Sequence, residues 1–446
     1  MLSVEANDRL ARVGPGTPMG VLMRRYWMPI RPLAQLVDED VIKVRILGED
    51  LVLFRTKRGE IGLIGDRCPH RQTGMEFGIP DDDGLRCCYH GWMFDTAGQC
   101  IDTPLEAPDS TFKERVRTTA YPARELGGLV WAYLGPSPAP LLPPWDVLVM
   151  PNAIRQIGVV ELNANWLQCQ ENTGDPAHSV YLHGHLFKYQ LEKRGLLDDR
   201  ASEGQMHTLF SRMKAGIGIE SVYAIPSQYG FEKGIKYSKE LGAARDETRR
   251  HSTVMFPFFT QTGGSSEVRQ ELQMRVPVDD THTYHINYGC FIAPDGVIAP
   301  EQEQIPWYEV PIYDENGKAL LDFVLAQDMV AWWSQGELTD RSKEKLGRTD
   351  TPIILMRRQF EQQMRIVEDG GDPMNVFRDP STMPDVIHGG SWDESLKRDP
   401  AFSTAGGFRS AYHRGYGVDD ADRYGPAMPQ IIDLMWEIER AGKAQS

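Results

Sequence analysis

Apolar and polar side chains alternate in the first part of the chain with the period of β-strands. Residues 42–46 alternate between branched apolar and basic side chains, and short apolar runs follow at 51–54 and 61–64, each after a turn that contains glycine. A further apolar run at 127–134 predicts a strand that completes this group. The pattern therefore predicts an all-β unit near the start of the chain.

A short helix precedes these strands, and a proline-rich segment follows them. Thr17 and Pro18 can open a helix because proline is favoured in the first helical turn, and we expect this helix to reach Trp27. Residues 136–144 are too rich in proline for a helix or a central strand, which indicates a stiff linker. The sequence thus predicts a helical segment at 1–26, a β-domain at 27–135, a linker at 136–147 and a second domain at 148–446.

The second domain mixes the periods of helices and strands. Residues 214–250 follow neither period, because Lys, Glu and Arg interrupt every regular pattern there. Elsewhere the periodicity predicts strands at 157–162, 268–276 and 282–291, and helices at 175–185, 321–335, 354–368 and 428–441.

Length and charge narrow the functional classes. A chain of 446 residues suggests two domains, and its net charge of −15 argues against nucleic acid or an anionic membrane as a partner, although it can attract a basic redox protein. No run of eighteen apolar residues and no signal-peptide pattern is present, and the six cysteines lack the spacing of a disulfide framework. We therefore expect a cytoplasmic protein with no membrane contact.

Two Cys and two His at short, fixed spacing are the strongest chemical signal. Cys68 and His70 form one pair, and Cys87 and His90 form a second pair after sixteen intervening residues. Two thiolates on one iron and two imidazoles on the other hold a Rieske-type 2Fe–2S cluster, which transfers electrons. Zinc also accepts two Cys and two His, although its structural sites usually have like-with-like pairs. Cys88 offers an alternative register, but C-x-x-H favours Cys87.

A second cluster of possible ligands lies in the second domain. His178 and His183 follow Asp175 in the order D-x-x-H-x-x-x-x-H. Two imidazoles and a carboxylate on one face of an iron make the triad that binds Fe(II) and activates O₂. Taken alone the pattern is weak, because Asp-Pro also starts helices and buried histidines are often structural. His185 is a competing ligand.

These motifs together resemble the Rieske non-haem iron oxygenases. The four Cys and His residues match, with Arg71 after the first pair and Gly91-Trp92 after the second. Respiratory Rieske proteins carry an additional disulfide-forming cysteine in each loop, and neither loop has one here. The stretch Asn165-Trp166-Leu167-Gln168, followed by Glu171-Asn172, is similar to the phthalate 4,5-dioxygenase class and especially to its 5,5′-dehydrodivanillate O-demethylase group.

The resemblance implies an α+β fold. An all-β Rieske domain would precede a catalytic domain of the helix-grip type, with an antiparallel sheet flanked by helices. It also implies a carboxylate ligand on a later helix, and Asp328 in the segment that begins Gln327-Asp328 matches it better than Asp322, Asp340 or Asp350 do. Asp175 would connect His178 to His90 of an adjacent subunit, which implies a head-to-tail trimer or a dimer of trimers.

The resemblance further implies the reaction. A separate reductase or ferredoxin would pass electrons from NAD(P)H to one Rieske 2Fe–2S cluster and on to one mononuclear Fe(II), which uses O₂. The expected reaction is O-demethylation of a methoxylated aromatic acid with release of formaldehyde; the alternative is cis-dihydroxylation of a phthalate-type acid. An electron carrier without oxygenase activity is the third hypothesis. The substrate residues stay open, because Arg245, Arg249 and Arg250 also fit an exposed turn.

Overall fold

A computed structural model describes residues 2–195, 213, 216–238, 252–262, 269–293, 297–322 and 324–389. Strands dominate the first part of the chain, and one large sheet with helices on it forms the second part. This is the α+β arrangement that the sequence predicted. Within the described ranges no helix combines the length and the apolar character that crossing a membrane requires. The helix predicted at 428–441 and the three candidate arginines at 245–250 lie outside the described residues.

The N-terminal β-domain contains three small sheets. Their strand orders are β1-β11-β10, β2-β3-β4-β9 and β5-β6-β7-β8, and every pairing is antiparallel. The strands are β1 Trp27–Pro32, β2 Val41–Ile46, β3 Glu49–Arg55, β4 Ile61–Gly65, β5 Ile79–Pro80, β6 Leu85–Arg86, β7 Met93–Phe94, β8 Cys100–Asp102, β9 Ala120–Tyr121, β10 Ala123–Leu126 and β11 Leu129–Tyr133.

Eight strands of the second domain form one sheet in the order β13-β14-β15-β16-β17-β18-β12-β19. Its pairings are antiparallel except that β19 runs parallel to β12, so the expected antiparallel sheet is mixed at this edge. The strands are β12 Ala153–Leu162, β13 Ile219–Ser227, β14 Gly230–Tyr237, β15 Ser252–Met255, β16 Phe259–Thr262, β17 Arg269–Pro277, β18 Thr283–Ile292 and β19 Trp307–Glu309.

Two helices precede the β-domain, one short helix lies within it, and the others belong to the linker and the second domain. A π-helical turn, Tyr181–Leu186, separates two of them, and single 3₁₀ turns occur at Met75–Phe77, Phe112–Arg115, Arg348–Asp350 and Pro380–Thr382. The α-helices are α1 Val4–Ala11, α2 Pro18–Met23, α3 Gln35–Asp38, α4 Asp146–Val149, α5 Trp166–Gly174, α6 His178–Val180, α7 Phe187–Arg194, α8 Val324–Trp333 and α9 Thr351–Glu368.

The two faces of the large sheet have opposite character, because side chains alternate along each strand. One face is apolar: Leu272 pairs with Tyr288, and the Tyr288 hydroxyl donates to the Gly127 carbonyl of the β-domain at 2.8 Å. The other face carries buried polar side chains, among them Arg275 and its cross-strand neighbour His285, and it lies beneath α5 and α8. The chemistry of the second domain is therefore concentrated on the polar face.

Two of the predicted helices have different limits in the structure. The helix that begins at Pro18 ends at Met23 and does not reach Trp27, because Trp27 is buried and pairs with Tyr133 as the first residue of β1. The helix expected to begin at Asp175 does not begin there. Asp175 instead caps the C-terminus of α5, and its side chain accepts from the Ala177 N–H at 2.7 Å.

The segment that followed no period contains two strands. β13 and β14 form a hairpin at the edge of the sheet, and five of the nine residues of β13 are half-buried. Charged side chains are common on such an edge. Within the described residues β13 is the outermost strand and has no neighbour on its outer side.

Candidate metal centres

Two loops of the β-domain present the first set of possible ligands. Cys68 lies in the loop after β4, and Cys87 lies between β6 and β7. In both loops the cysteine N–H donates to the carbonyl five residues on, at 2.9 and 2.8 Å, and the cysteine carbonyl accepts from the N–H four residues on, at 2.8 and 3.0 Å. Those fourth residues, Gln72 and Gly91, both have positive φ, 62° and 75°. The two loops therefore have the same backbone design.

The four side chains meet between the loops. Cys68 and Cys87 are buried, with exposed fractions of 1 % and 3 %, whereas the rings of His70 and His90 lie outward with their centroids 4.5 Å apart. Trp92 stacks on His70 at 4.4 Å and holds that ring in place. Burial raises the pKa of the Cys68 thiol to about 11, an effect that a metal reverses because it binds the thiolate. Two buried thiols facing two imidazoles fit a Rieske cluster.

The structure distinguishes the two adjacent cysteines. Cys88 is exposed, while Cys87 is buried and forms a hydrogen bond with Cys68. Cys87 also occupies the position in its loop that Cys68 occupies in the other. The C-x-x-H register therefore brings four possible ligands together, and the C-x-H register does not.

The second set of ligands converges above the polar face of the sheet. The Nε2 atoms of His178 and His183 are 3.2 Å apart, and Oδ1 of Asp328 lies 3.5 Å from the first and 3.1 Å from the second. Among the described residues this is the group of His, Cys, Asp and Glu side chains whose ligand atoms all lie within 4.8 Å of one another. Two imidazole nitrogens and one carboxylate oxygen on one side of a point fit the facial triad of a non-haem Fe(II) site.

A π-helical turn explains how histidines five residues apart can share one site. In an α-helix, residues five apart point about 140° away from each other, since each residue turns the helix by about 100°. His183 lies in the π-helical turn Tyr181–Leu186, which is wider than an α-helical turn, and its Nε2 atom comes within 3.2 Å of Nε2 of His178, which precedes the turn. The predicted regular helix at 175–185 would have separated the two rings.

Neighbouring groups fix the orientation of each ligand. The Nδ1 atom of His183 donates to Oε1 of Gln327 at 2.9 Å, and Gln327 in turn donates to the Leu321 carbonyl at 2.6 Å. Asn172 donates to Oδ1 of Asp328 at 3.3 Å. Such partners set the tautomer and the direction of a ligand ring. Gln327 adjoins Asp328 and was visible in the sequence, but nothing there indicated its role.

Asp175 contacts His178 differently from the expectation. Nδ1 of His178 makes a short hydrogen bond with the main-chain carbonyl of Asp175, while the nearer oxygen of its carboxylate, Oδ2, lies 3.8 Å away. The Oδ2 atom accepts no hydrogen bond from the described residues, and the side chain is 24 % exposed. Asp175 therefore orients His178 through its backbone and keeps a carboxylate oxygen available to another group.

The charge states of the triad suit a metal. Burial disfavours the charged form of Asp328, but attraction to His183, a hydrogen bond from it and attraction to His178 lower its pKa to about 2. Burial also lowers the pKa of His178 to about 4. At His183 the attraction to Asp328 outweighs burial and raises the pKa. The site thus offers an ionised carboxylate at Asp328 and a neutral imidazole at His178, which are the forms that bind a metal.

The other residues that the sequence offered as metal ligands have different surroundings. His185 is exposed and stacks on Tyr181 at 4.6 Å. Asp322 is ion-paired with Arg194, and Asp340 is an exposed partner of Lys343 at 2.9 Å. Asp350 caps the N-terminus of its own 3₁₀ turn. None of these side chains belongs to the set of described ligand atoms that lie within 4.8 Å of one another.

Three basic side chains of the polar face had no distinguishing signal in the sequence. Lys233 on β14, Arg275 on β17 and His285 on β18 have exposed fractions of 8 %, 2 % and 0 %. The sequence around each of them shows only the periodicity of a strand. The pairing of the three strands brings these side chains beneath the triad. The alternation of Arg275 with Met274 and Val276 indicated that one face of β17 is polar, although it could not show what lies over that face.

The two sites define an iron-dependent redox enzyme with a cluster domain and a catalytic domain. Residues 26–122 match the family model of the Rieske [2Fe-2S] domain. The chain is 39% identical over 388 residues to the 5,5′-dehydrodivanillate O-demethylase oxygenase subunit of Sphingobium sp., covering 85% of each chain. It belongs to the Rieske non-haem iron oxygenases, as the oxygenase component, which confirms the resemblance and implies a 2Fe–2S cluster and a non-haem iron.

Two further relatives show the range of the family. The chain is 46% identical to the tert-butanol monooxygenase / tert-amyl alcohol desaturase oxygenase subunit of Aquincola tertiaricarbonis, over 79% of this chain and 75% of that one. It is 30% identical to the phthalate 4,5-dioxygenase oxygenase subunit of Pseudomonas putida, over 80% and 85% of the two chains.

Solved structures share the fold. NdmA of Pseudomonas putida CBB5 superposes with a TM-score of 0.57 at 20% identity, over 80% of this chain and 94% of that one. The oxygenase in an oxygenase–ferredoxin complex of carbazole 1,9a-dioxygenase superposes with a TM-score of 0.55 at 17% identity, over 79% and 90%. At these identities the likeness concerns the fold, and it confirms the two-domain α+β architecture.

Proposed function

We propose that the protein is the terminal oxygenase of a system that O-demethylates a methoxylated aromatic acid. The observation that carries this proposal is the 39% identity, over 85% of both chains, to a protein named as a 5,5′-dehydrodivanillate O-demethylase oxygenase subunit. The match spans both domains, so it includes both candidate metal centres. An electron carrier would need the first centre alone, whereas the three converging ligands of the second domain favour an oxygenase.

In this proposal Cys68, Cys87, His70 and His90 hold the 2Fe–2S cluster, and His178, His183 and Asp328 hold one Fe(II). When bound, the iron would supply the activation of O₂ that inserts one oxygen atom into a methoxyl C–H bond. The chain positions the ligands: Gln327 directs His183, and the Asp175 carbonyl directs His178. The buried polar face of the sheet beneath them limits the access of bulk water.

The atoms of the reaction balance with two electrons. An aryl methyl ether, O₂, two electrons and two protons give the hydroxymethyl ether and water, and the hydroxymethyl ether then breaks into a phenol and formaldehyde. The new oxygen leaves in formaldehyde, and the ether oxygen stays on the ring. We propose that the electrons come from NAD(P)H through a separate reductase or ferredoxin.

The outward face of the first centre supports such a partner. His70 is exposed and Tyr89, next to His90, is 55 % exposed, so an electron donor can approach the imidazole side. The carbazole 1,9a-dioxygenase oxygenase, which has the same fold, forms a complex with a ferredoxin. We also propose a head-to-tail trimer, or a dimer of trimers, in which Asp175 connects His178 to His90 of an adjacent subunit.

Turnover of defined substrates tests the proposal. The purified oxygenase, a surrogate reductase and NADH should convert 5,5′-dehydrodivanillate or a methoxybenzoate with one formaldehyde for each methoxyl group lost, and ¹⁸O₂ should label formaldehyde and not the phenol, after allowance for exchange with water. Asp328→Ala is the control that should lose this activity and about one of about three irons, while it keeps the cluster spectrum. A cis-diol from phthalate without formaldehyde would refute demethylation.

The tert-alcohol relative supports a second candidate. Its 46% identity makes hydroxylation of a neutral tertiary alcohol a specific alternative. The same assay with tert-butanol separates the two, because a diol would then form while aryl methyl ethers remain unchanged.

A further inference from the structure

Buried positive charge lies beneath the triad. Lys233 is on β14, on the same side of the strand as Phe231, whose ring lies against Gly174 at the end of α5. It therefore faces the helix that leads to Asp175. The charges of Asp175 and Asp328 act on the Lys233 amine, where burial lowers the pKa to about 8 and these two carboxylates oppose that change.

The Lys233 amine has no protein partner among the described residues. It makes no hydrogen bond or ion pair with them, although its residue is only 8 % exposed. Lysine is almost never buried without a partner, because removing an ammonium group from water costs several kcal/mol or more unless an anion or hydrogen bonds compensate. A buried lysine without such a group indicates that a ligand supplies one.

Arg275 adds a second buried cation to the same face. Its guanidinium group lies over the Trp332 ring at 5.4 Å, and Nη2 donates to Gln273 Oε1. The Nε and Nη1 atoms are buried with no hydrogen-bond partner in the described part of the chain, and neither ring nitrogen of the neighbouring His285 has one. Several buried nitrogen atoms of Arg275 and His285 therefore lack a hydrogen-bond partner among the described residues.

The charge balance favours an anionic ligand. The positive charges of Lys233 and Arg275 lie near two carboxylates, Asp175 and Asp328. These four charges balance, so a divalent metal held by the triad would leave the region positive. An anionic ligand would reduce this positive charge, whereas a neutral alcohol would leave it unchanged.

We propose that Lys233, supported by Arg275, forms the subsite that receives the carboxylate of the aromatic substrate. This inference rests on the proposed function, since it names the group of the substrate acid that binds there. The carboxylate would accept from the Lys233 amine, and the aromatic ring would extend from it towards the triad. A neutral tertiary alcohol has no anionic group that could pair with this charge.

Binding measurements without a reductase test the subsite apart from turnover. The iron- and cluster-loaded oxygenase is titrated calorimetrically with 3-methoxybenzoate, 4-hydroxy-3-methoxybenzoate and 5,5′-dehydrodivanillate, and with the methyl ester of each. At least one acid should bind more tightly than its ester. Lys233→Met should reduce that acid-over-ester preference by about 10- to 100-fold, the range expected for a hydrogen bond to a charged group, and leave ester affinity within about 3-fold.

Two further variants complete the design. Lys236→Met is the matched control, because Lys236 is an exposed lysine of the same strand that pairs with Glu220 at 2.7 Å. The acid-over-ester preference of this variant should equal that of the native chain. Lys233→Arg should retain most of the preference. Unchanged ester affinity shows that a variant is folded. If Lys233→Met does not fold, loss of the preference in Lys233→Arg would itself contradict an anion subsite that needs only positive charge.

Failure of the subsite and failure of the proposed function are distinguishable. If no acid binds more tightly than its ester, or if Lys233→Met keeps the preference, the subsite is wrong even when formaldehyde is produced. If the preference depends on Lys233 but turnover gives a cis-diol or no formaldehyde, the subsite stands and demethylation is wrong.

Discussion

Two adjacent cysteines of the second cluster loop have opposite surroundings. Cys87 is 3 % exposed and forms a hydrogen bond with Cys68, whereas Cys88 is exposed. We expect Cys87→Ser to abolish the cluster, because a thiolate ligand is lost, and Cys88→Ser to leave it intact. The absorption and reduced-state EPR spectra of the purified chains measure this. Equal loss in both variants would show that the loop, and not one ligand, had been damaged.

Gln327 controls one ligand without contacting the metal position. Its Oε1 atom accepts from Nδ1 of His183 at 2.9 Å and so directs Nε2 towards the triad. We predict that Gln327→Met weakens Fe(II) binding by about 10- to 100-fold, as is usual when such a partner is removed, with the cluster unchanged. Iron titration of the chelator-treated protein gives the affinity.

The control for that prediction is Gln335→Met. Gln335 lies just beyond the end of the same helix and donates to the Ala331 carbonyl at 2.9 Å on the exposed side. Its substitution should not change iron affinity. A normal affinity in Gln327→Met as well would mean that packing alone orients His183.

At the scale of residues the sequence indicated the candidate ligands but not the side chains that support them. Cys68, Cys87 and their histidines follow one another at short spacing, so a local motif carries the information. Gln327 acts through its contact with His183, a residue distant in the sequence, and Lys233 reaches the region of the triad only through the pairing of β14 within the large sheet. Local spacing contains no signal for such contacts, because they are created by strand pairing and helix packing.

At the scale of elements, a buried ion cluster holds the helix that carries the metal-site loop. Glu171 on α5 accepts from Arg341 at 2.7 Å and from Arg357 of α9 at 2.6 Å, and Arg341 also donates to Asn7 of α1 at 3.0 Å. Burial opposes the charge of Glu171, but the two arginines overcome this and lower its pKa. The cluster thus ties α5 to two other helices.

We predict that Glu171→Gln destabilises the protein at pH 7 by about 3–5 kcal/mol, because it leaves buried guanidinium groups without their carboxylate. A lowered folded pKa stabilises the native chain above the unfolded value, near 4.5, and this contribution is lost as pH falls through the folded pKa. The difference in unfolding free energy between native and variant should therefore shrink below about pH 4.5.

Urea unfolding at pH 7 and at lower pH measures this difference. The control is Glu220→Gln, which removes one side of the exposed Glu220–Lys236 pair and should cost less than about 1 kcal/mol. If the difference in unfolding free energy between the native chain and Glu171→Gln does not depend on pH, then packing, and not the charge of Glu171, holds α5 in place.

The elements also show where periodicity is informative. The strands β17 and β18 and the helix α9 agree with their predicted ranges to within three residues at each end, because long amphipathic segments bury one face. The π turn around His183 was not predictable, since its residues have no helix period of their own. Within it, His183 comes within 3.2 Å of His178, five residues before it.

On the scale of the whole molecule, the two centres have to exchange electrons. Within the described chain no hydrogen bond or ring contact joins the cluster loops to the triad. Asp175 has a carboxylate oxygen that is open to a neighbour. We predict that Asp175→Asn forms both centres normally but oxidises its reduced cluster at least about 10-fold more slowly in a single turnover, because an amide accepts more weakly than a carboxylate.

Stopped-flow absorbance of the prereduced protein follows this oxidation. Iron content and EPR spectra serve as the controls, since both should equal those of the native chain. If the cluster of the variant is oxidised at the native rate, Asp175 acts only as the helix cap that accepts from Ala177.

Mixed assemblies decide whether electrons pass between subunits. Cys68→Ala lacks the cluster and Asp328→Ala lacks the iron, so neither variant alone should turn over substrate. In a head-to-tail ring each subunit meets the complementary site of its neighbour, and random co-assembly in equal amounts places a cluster-bearing chain before an iron-bearing chain at about one interface in four. Co-expressed, differently tagged variants should therefore recover about a quarter of native activity per chain. Transfer within a single chain predicts no recovery, and that result would leave Asp175 without a partner across an interface.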